Sequence, residues 1–252
     1  MNYELQGKVA IVTGARTGIG QAAAISLARS GAHIVGVGHN EMPETRAQVE
    51  AFGVRFLEVL EDLTKPSAEM FDRIVGAAVK EFGHVDILIN NAGIILREDA
   101  IDYSEEYWDR VMDINIKTVF FLSQRVAKEF VAQGTGGKIV SVASLLSFQG
   151  GIRVPAYAAS KSGVTAVTKA MANEWAKLGI NVNAVAPGYV ITNNTKALQA
   201  DEKRYNEILG RIPAGRWADA ADLGEPIAFL CSEGARYIHG ATLAVDGGWL
   251  AR

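Results

Sequence analysis

Tyr157 and Lys161 stand four residues apart in a segment of helical pattern, so both side chains project from one face of a helix. A phenol with an ordinary pKa of roughly 10 is a poor base at neutral pH. An ammonium beside it stabilises the phenolate, and the pair then works as a general acid/base for an alcohol or a carbonyl. The same spacing arises by chance on many helix surfaces, so its meaning comes from the neighbours. Ser144 follows the apolar run 138–143 and carries a hydroxyl suited either to a substrate oxygen or to capping a turn. Asn115 lies inside the amphipathic stretch 104–132, where an amide is either satisfied in a core or interrupts the helix and holds a water. Asn91, Ala92 and Gly93 follow another apolar run; such a turn suits close approach of a cofactor and equally plain loop chemistry.

A second constellation lies near the N-terminus. The run 9–13 leads into Gly14-Ala15-Arg16-Thr17-Gly18-Ile19-Gly20, and a helical pattern follows. Glycines permit a tight turn and close backbone approach, and the free amides of a helix start favour an anion such as pyrophosphate. An ordinary glycine-rich connection satisfies the same pattern. The spacing also differs from G-x-G-x-x-G, with three residues between Gly14 and Gly18. At the end of the second apolar run, where an acid would bond a ribose 2′-hydroxyl, stand Gly38 and His39. Neither excludes a 2′-phosphate and neither demands one.

Residues 9–13, 34–37, 55–59, 87–90, 138–143, 181–186 and 242–245 are short runs rich in Val, Ile and Leu. Helical patterns over 21–30, 66–82, 104–132, 156–178 and 220–231 alternate with them. Continuous apolar runs are strands buried on both faces. The alternation predicts an α/β fold, a Rossmann-type doubly wound parallel sheet of about seven strands with helices on both faces. Ligands of such sheets sit beyond the carboxyl ends of the strands, where Gly14, Asn91 and Ser144 all fall.

The 252 residues are 49% apolar, enough for one domain spanning 1–252, and no linker or repeat divides them. A net charge of −3, spread along the chain, argues against a nucleic-acid partner. Four scattered histidines lack metal-ligand spacing, so no metal is expected. The lone Cys231 reads as a small core side chain rather than a nucleophile. No stretch approaches the roughly 20 apolar residues of a membrane span, and 1–8 lacks the apolar core of a leader; the expectation is a cytoplasmic protein.

Taken together, the glycine turn, Asp62-Leu63, Asn90-Asn91-Ala92-Gly93, Asn115, Ser144, Tyr157-x-x-x-Lys161 and Pro187-Gly188-x-x-x-Thr192 occur in an order that resembles the short-chain dehydrogenase/reductases. The resemblance covers essentially the whole chain. It implies an NAD(P)-dependent oxidoreductase with Asn115, Ser144, Tyr157 and Lys161 as catalytic tetrad. Hydride is exchanged at the nicotinamide C4 while Tyr157 passes the proton, Ser144 orients the substrate oxygen, and Lys161 lowers the tyrosine pKa and holds the ribose. Asn115 supports a water linking Lys161 to solvent. The implied cofactor contacts are Gly14, Arg16, Thr17, Gly18, Ile19, Gly20, Gly38, His39, Asp62, Leu63, Asn91, Ala92, Gly93, Tyr157, Lys161, Pro187, Gly188, Val190 and Thr192. NAD is the implied cofactor, with NADP left open by Gly38-His39. A homotetramer packed through two long helices and the C-terminal strand is implied as well.

Segments 144–155, 211–217 and 246–252 further resemble family members acting on deoxy keto-sugar acids. Gluconate, another sugar or a 3-oxoacyl thioester are the alternatives, and a non-catalytic nucleotide-binding regulator is a remoter one. For an acidic substrate, Arg153 is the expected carboxylate ligand, since a guanidinium forks onto a carboxylate and this one lies between Ser144 and Tyr157. A salt bridge between subunits or a solvated loop arginine is equally open, and Arg97 and Arg216 are competing ligands.

Overall fold

A computed structural model describes residues 3–252; Met1 and Asn2, the start of the stretch read for a leader, lie outside them. The chain runs β1 (Val9–Thr13), α1 (Gly18–Arg29), β2 (His33–Gly38), α2 (Pro43–Glu50), β3 (Phe56–Leu60), α3 (Ala68–Phe82), β4 (Ile87–Asn90), α4 (Glu105–Met112) and α5 (Thr118–Gln133). It continues through β5 (Gly137–Val142), α6 (Pro155–Trp175), β6 (Ile180–Pro187), α7 (Lys196–Ala200), α8 (Glu202–Leu209), α9 (Ala221–Cys231) and β7 (Thr242–Val245). The strands form one sheet in the order β3-β2-β1-β4-β5-β6-β7, with every pairing parallel.

Alternation along the strands divides the core into two layers. From β1, Ala10 and Val12 pack with Ala23, Ala24 and Leu27 of α1 and Leu223 and Ile227 of α9. Val9 and Ile11 face the other way, against Met70 and Ile74 of α3, Leu122 and Val126 of α5 and Met171 of α6. The helix α3 shows the local logic. Ser67 caps its start by accepting a hydrogen bond from the Met70 amide at 3.2 Å, and Gly83 ends it at φ +86°. Between them Met70, Phe71, Ile74, Val75 and Ala78 make one buried stripe.

The stretch 104–132 is not one helix. Five residues, Asp113–Lys117, form a π turn between α4 and α5, and Asn115 lies at its centre. A π turn widens the helix by one residue and redirects the side chains around it. The edge strand β7 also departs from expectation. It is only half covered, with Leu243 39% exposed, while Trp249 beyond it is buried.

The strand order reverses at β1, whose neighbours are β2 and β4. That crevice is where ligands of doubly wound sheets bind, and it places the turn after β1 beside the turn after β4.

Candidate active and cofactor site

Those two turns are tied together. The Thr13 hydroxyl accepts hydrogen bonds from the amides of Asn91 (2.9 Å) and Ala92 (3.0 Å). In return the Asn91 side-chain amide donates to the carbonyls of Thr13 (2.9 Å) and Gly14 (3.2 Å). Two glycines have no room for a side chain. A Cβ on Gly14, already at φ +66°, would lie 2.8 Å from Asn91 Nδ2, and one on Gly20 would lie 2.3 Å from the Gly14 carbonyl oxygen. The side chain of Thr17, at the start of α1, makes no capping bond, so the first amides of that helix are left to an anion.

A cavity of about 370 Å³ opens over this turn. It is lined by Gly14, Arg16, Thr17, Gly18 and Ile19 from the glycine turn, Gly38 and His39 after β2, Asp62 and Leu63 after β3, Asn91, Ala92 and Gly93 after β4, and Thr192 after β6. All of these were expected. The bare backbone of the glycine turn and the polar strand ends fit a dinucleotide. Asp62 itself is committed to its own turn. It accepts bonds from the Thr64 hydroxyl (2.7 Å) and amide (3.1 Å), which hold its carboxyl below the usual range.

Asn115 and Lys161 adjoin the cavity through Gly93, whose Cβ would lie 3.0 Å from Asn115 Oδ1 and 3.6 Å from Lys161 Nζ. Lys161 is 4% exposed; its ammonium donates to the Val142 carbonyl at 2.6 Å and stands 5.7 Å from the centre of the Tyr157 ring. Burial lowers the ammonium pKa to about 8. Burial also raises the Tyr157 phenol, opposed by a hydrogen bond with Ser144 and by the charge of Arg97. Ser144 serves as a cap too, accepting from the Leu146 amide at 3.2 Å.

Asn115 answers the question its position poses. Its Oδ1 accepts from the Ile94 amide (2.9 Å), and its Nδ2 donates to the Ile94 carbonyl (3.0 Å) and the Ser160 hydroxyl (3.1 Å). Ser160 in turn donates to the Tyr157 carbonyl at 2.8 Å. The side-chain amide is thus engaged by protein groups. It holds the turn after β4 against the first part of α6.

Of the expected cofactor contacts, Gly20, Pro187, Gly188, Val190 and the Tyr157–Lys161 pair do not line the cavity. Val190 is 3% exposed and packs in the core, with its carbonyl accepting from the Thr195 hydroxyl at 2.7 Å. Pro187 ends the buried strand β6, and the Gly188 amide is spent on the Val245 carbonyl at 2.9 Å. The end of β6 is fixed by pairing with β7, so the cavity is reached only further along, by Thr192, Asn193 and Asn194.

Arg153 has its guanidinium ion-paired with Asp99 at 3.0 Å and Glu98 at 3.7 Å, and its φ of +65° belongs to an exposed turn. These are exposed surface pairs, the salt-bridge alternative weighed for this arginine, here within one chain. Residues not anticipated at the cavity are Asn40, Glu61, Thr64, Ile94, Ile114, Asn193 and Asn194. Asn40, Thr64, Ile94 and Asn193 directly follow residues that were expected, which is the signal that extends each loop by one position.

Comparison with known proteins agrees with this architecture. A family profile described as enoyl-(acyl carrier protein) reductase matches residues 14–250. The 2-dehydro-3-deoxy-D-gluconate 5-dehydrogenase of Escherichia coli (strain K12) is 60% identical over 250 residues, covering 99% of this chain and 98% of that protein. The enzyme of the same name from Bacillus subtilis (strain 168) is 50% identical over 251 residues, covering 99% and 97%. A solved structure from Agrobacterium tumefaciens, provisionally described as 2-deoxy-D-gluconate 3-dehydrogenase and holding NADP, superposes with a TM-score of 0.93 at 52% identity, over 99% of each chain. With matches that run from the glycine turn through Tyr157 and Lys161 to the C-terminal strand, the chain belongs to the short-chain dehydrogenase/reductase family and is an NAD(P)-dependent oxidoreductase.

Proposed function

We propose that this protein interconverts the hydroxyl and carbonyl forms of a deoxy keto-sugar acid, as a 2-dehydro-3-deoxy-D-gluconate 5-dehydrogenase (2-deoxy-D-gluconate 3-dehydrogenase). The observation that carries the substrate reading is 60% identity along nearly the whole chain to an enzyme of that name. The bound cofactor supplies hydride exchange at its nicotinamide ring. The chain's own groups do the rest. Tyr157 gives the carbonyl oxygen its proton in reduction and takes it from the hydroxyl in oxidation. Ser144, hydrogen-bonded with that phenol, positions the same oxygen. Lys161 places a buried positive charge beside the ring and favours the phenolate. Asn115 acts at one remove, by locking the turn that carries Gly93 to α6.

This reading treats residues 1–252 as one domain, places the protein in the cytoplasm, where nicotinamide cofactors are held, and assembles it as a homotetramer. No helix among the described residues is long and apolar enough to cross a membrane. NAD(H) is the expected preference, because β2 ends in Gly38 and His39 with no arginine to demand a 2′-phosphate. Arg16 on the cavity rim makes NADP(H) the cofactor to run beside it.

The test is steady-state turnover with both cofactors over keto-sugar acids, neutral sugars and a 3-oxoacyl thioester. We expect the highest kcat/KM with 2-dehydro-3-deoxy-D-gluconate and NAD(H). Tyr157→Phe keeps the ring and removes the proton, so kcat should fall by roughly 10²–10⁴-fold while cofactor still binds. Preference for a neutral sugar or a thioester overturns the substrate assignment; near-normal turnover in Tyr157→Phe overturns the acid/base assignment.

A further inference from the structure

The segment after β6 meets the body of the protein through a small core of its own. Ile208 of α8, Ile212, Trp217 and Trp249 are buried together with Leu145, the residue that follows Ser144. Helix α8 buries only Ile208, and an element with so few buried contacts is held by little else.

Trp249 touches each side of that core. Its ring packs on Tyr189 with 4.9 Å between centroids, and the Arg211 guanidinium lies 4.0 Å from a ring centre of the indole. Its Nε1 donates to Gln149 Oε1 at 3.4 Å. The other indole of the cluster, Trp217, has a buried Nε1 with no partner, so the indole link to the turn after Ser144 runs through Trp249.

Trp249 is itself held in place. The Asp246 carboxylate accepts from the amides of Gly248 and Leu250, each at 2.9 Å, and the Gly247 carbonyl accepts from the Ala214 amide at 2.9 Å. A Cβ on Gly247 would lie 2.9 Å from Ile212 Cγ2, so the backbone there is in direct contact with the segment after α8. The turn Leu145–Ser147, which Ser144 caps, is fixed from its other side: Ser147 Oγ donates to the Lys161 carbonyl at 2.7 Å.

We infer that Trp249 is a positioning residue for the reaction. Through Gln149 and Leu145 it holds the turn capped by Ser144, and through Tyr189 and Arg211 it holds the segment after β6. It thereby sets the spacing of the two walls beside the substrate. This rests on the proposed placement of the substrate oxygen at Ser144 and Tyr157.

The experiment is a double-mutant cycle of Trp249→Phe, which keeps a ring and removes the N–H, and Gln149→Leu, which removes the acceptor. Turnover of 2-dehydro-3-deoxy-D-gluconate is counted per NADH bound, so that misfolded protein drops out. Trp249→Phe should lower kcat/KM by about 3–10-fold and leave the Kd for NADH within about twofold. In the Gln149→Leu background it should cause no further loss, because the two side chains act as one unit. If the two losses multiply, or if Trp249→Phe recovers the wild-type value once counted per NADH bound, the inference alone is overturned. If wild type does not turn over the sugar acid, the substrate reading falls, and the same cycle on whichever compound of the panel it prefers decides the inference.

Discussion

Lys161 is a cation kept in the core. An ammonium resists burial, and its pKa falls from 10.5 to about 8 as a result. The folded state therefore binds fewer protons than the unfolded chain between about pH 8 and 10.5. Stability rises with pH across that window, because the penalty of the buried charge is complete below pH 8 and relieved above it. At neutral pH the group is mostly charged, which is the form that steadies a phenolate. Lys161→Met, of similar length and apolar, should abolish turnover and yet stabilise the fold at pH 7 by on the order of a few kcal/mol. Urea unfolding at pH 7 and near pH 9.5 checks this, because the wild type should close the gap as pH rises. Parallel pH dependence in the two proteins defeats it. Tyr157 shows the complementary tension. Burial favours its protonated form, and the hydrogen bond with Ser144 and the charge of Arg97 oppose it.

Among the elements, the π turn between α4 and α5 is the hinge of the site's construction. It points the Asn115 amide at both polar groups of Ile94 and at Ser160, which ties the turn after β4 to α6. Asn115→Ala orphans these partners. It should lower stability by roughly 1–3 kcal/mol and reduce kcat as the turn loosens. A urea midpoint within about 0.5 kcal/mol of wild type, with full turnover, contradicts this role. The amide at position 115 was the visible sign in the sequence, since an apolar helix face has no use for it. The extra π residue was not visible, because 3.6-residue periodicity tolerates one irregular turn. Strands were the most legible elements. Val9–Thr13, Ile87–Asn90 and Thr242–Val245 fall where their apolar runs predict, and the other strands differ by one residue at each end. The helices α2, α7 and α8 went unread. Pro43–Glu50 and Glu202–Leu209 are largely polar, with few buried residues to print a period on the sequence. For Arg153, sequence order shows that a cation lies near the site, but not its ion pair with Asp99, which comes from a distant turn.

At the scale of the whole molecule, apolar side chains are left outside the two core layers. Phe121, Val131 and Leu178 are 43%, 53% and 45% exposed, and a groove of about 390 Å³ runs between α5 and α6 where Val131, Trp175 and Leu178 meet. The edge strand β7 offers a second such face at Leu243. Isolated chains seldom leave so much apolar surface in water. Light scattering should return four chains, and Phe121→Glu combined with Val131→Glu should lower that number without unfolding the protein. A stable monomer of the wild type at micromolar concentration refutes the assembly. The strand order has a separate consequence, for how the chain is made. Val9–Thr13 is the first strand to leave the ribosome, and it takes the middle of the sheet. One flank can pair with His33–Gly38 soon afterwards. The other waits for Ile87–Asn90. Throughout translation of residues 14–86, the apolar edge Val-Ala-Ile-Val lacks its second neighbour. At about 5–20 residues per second that is a delay of several seconds. An unpaired edge is a template for other nascent chains, so this sheet is most prone to aggregate from the centre, before its own β4 has been synthesised.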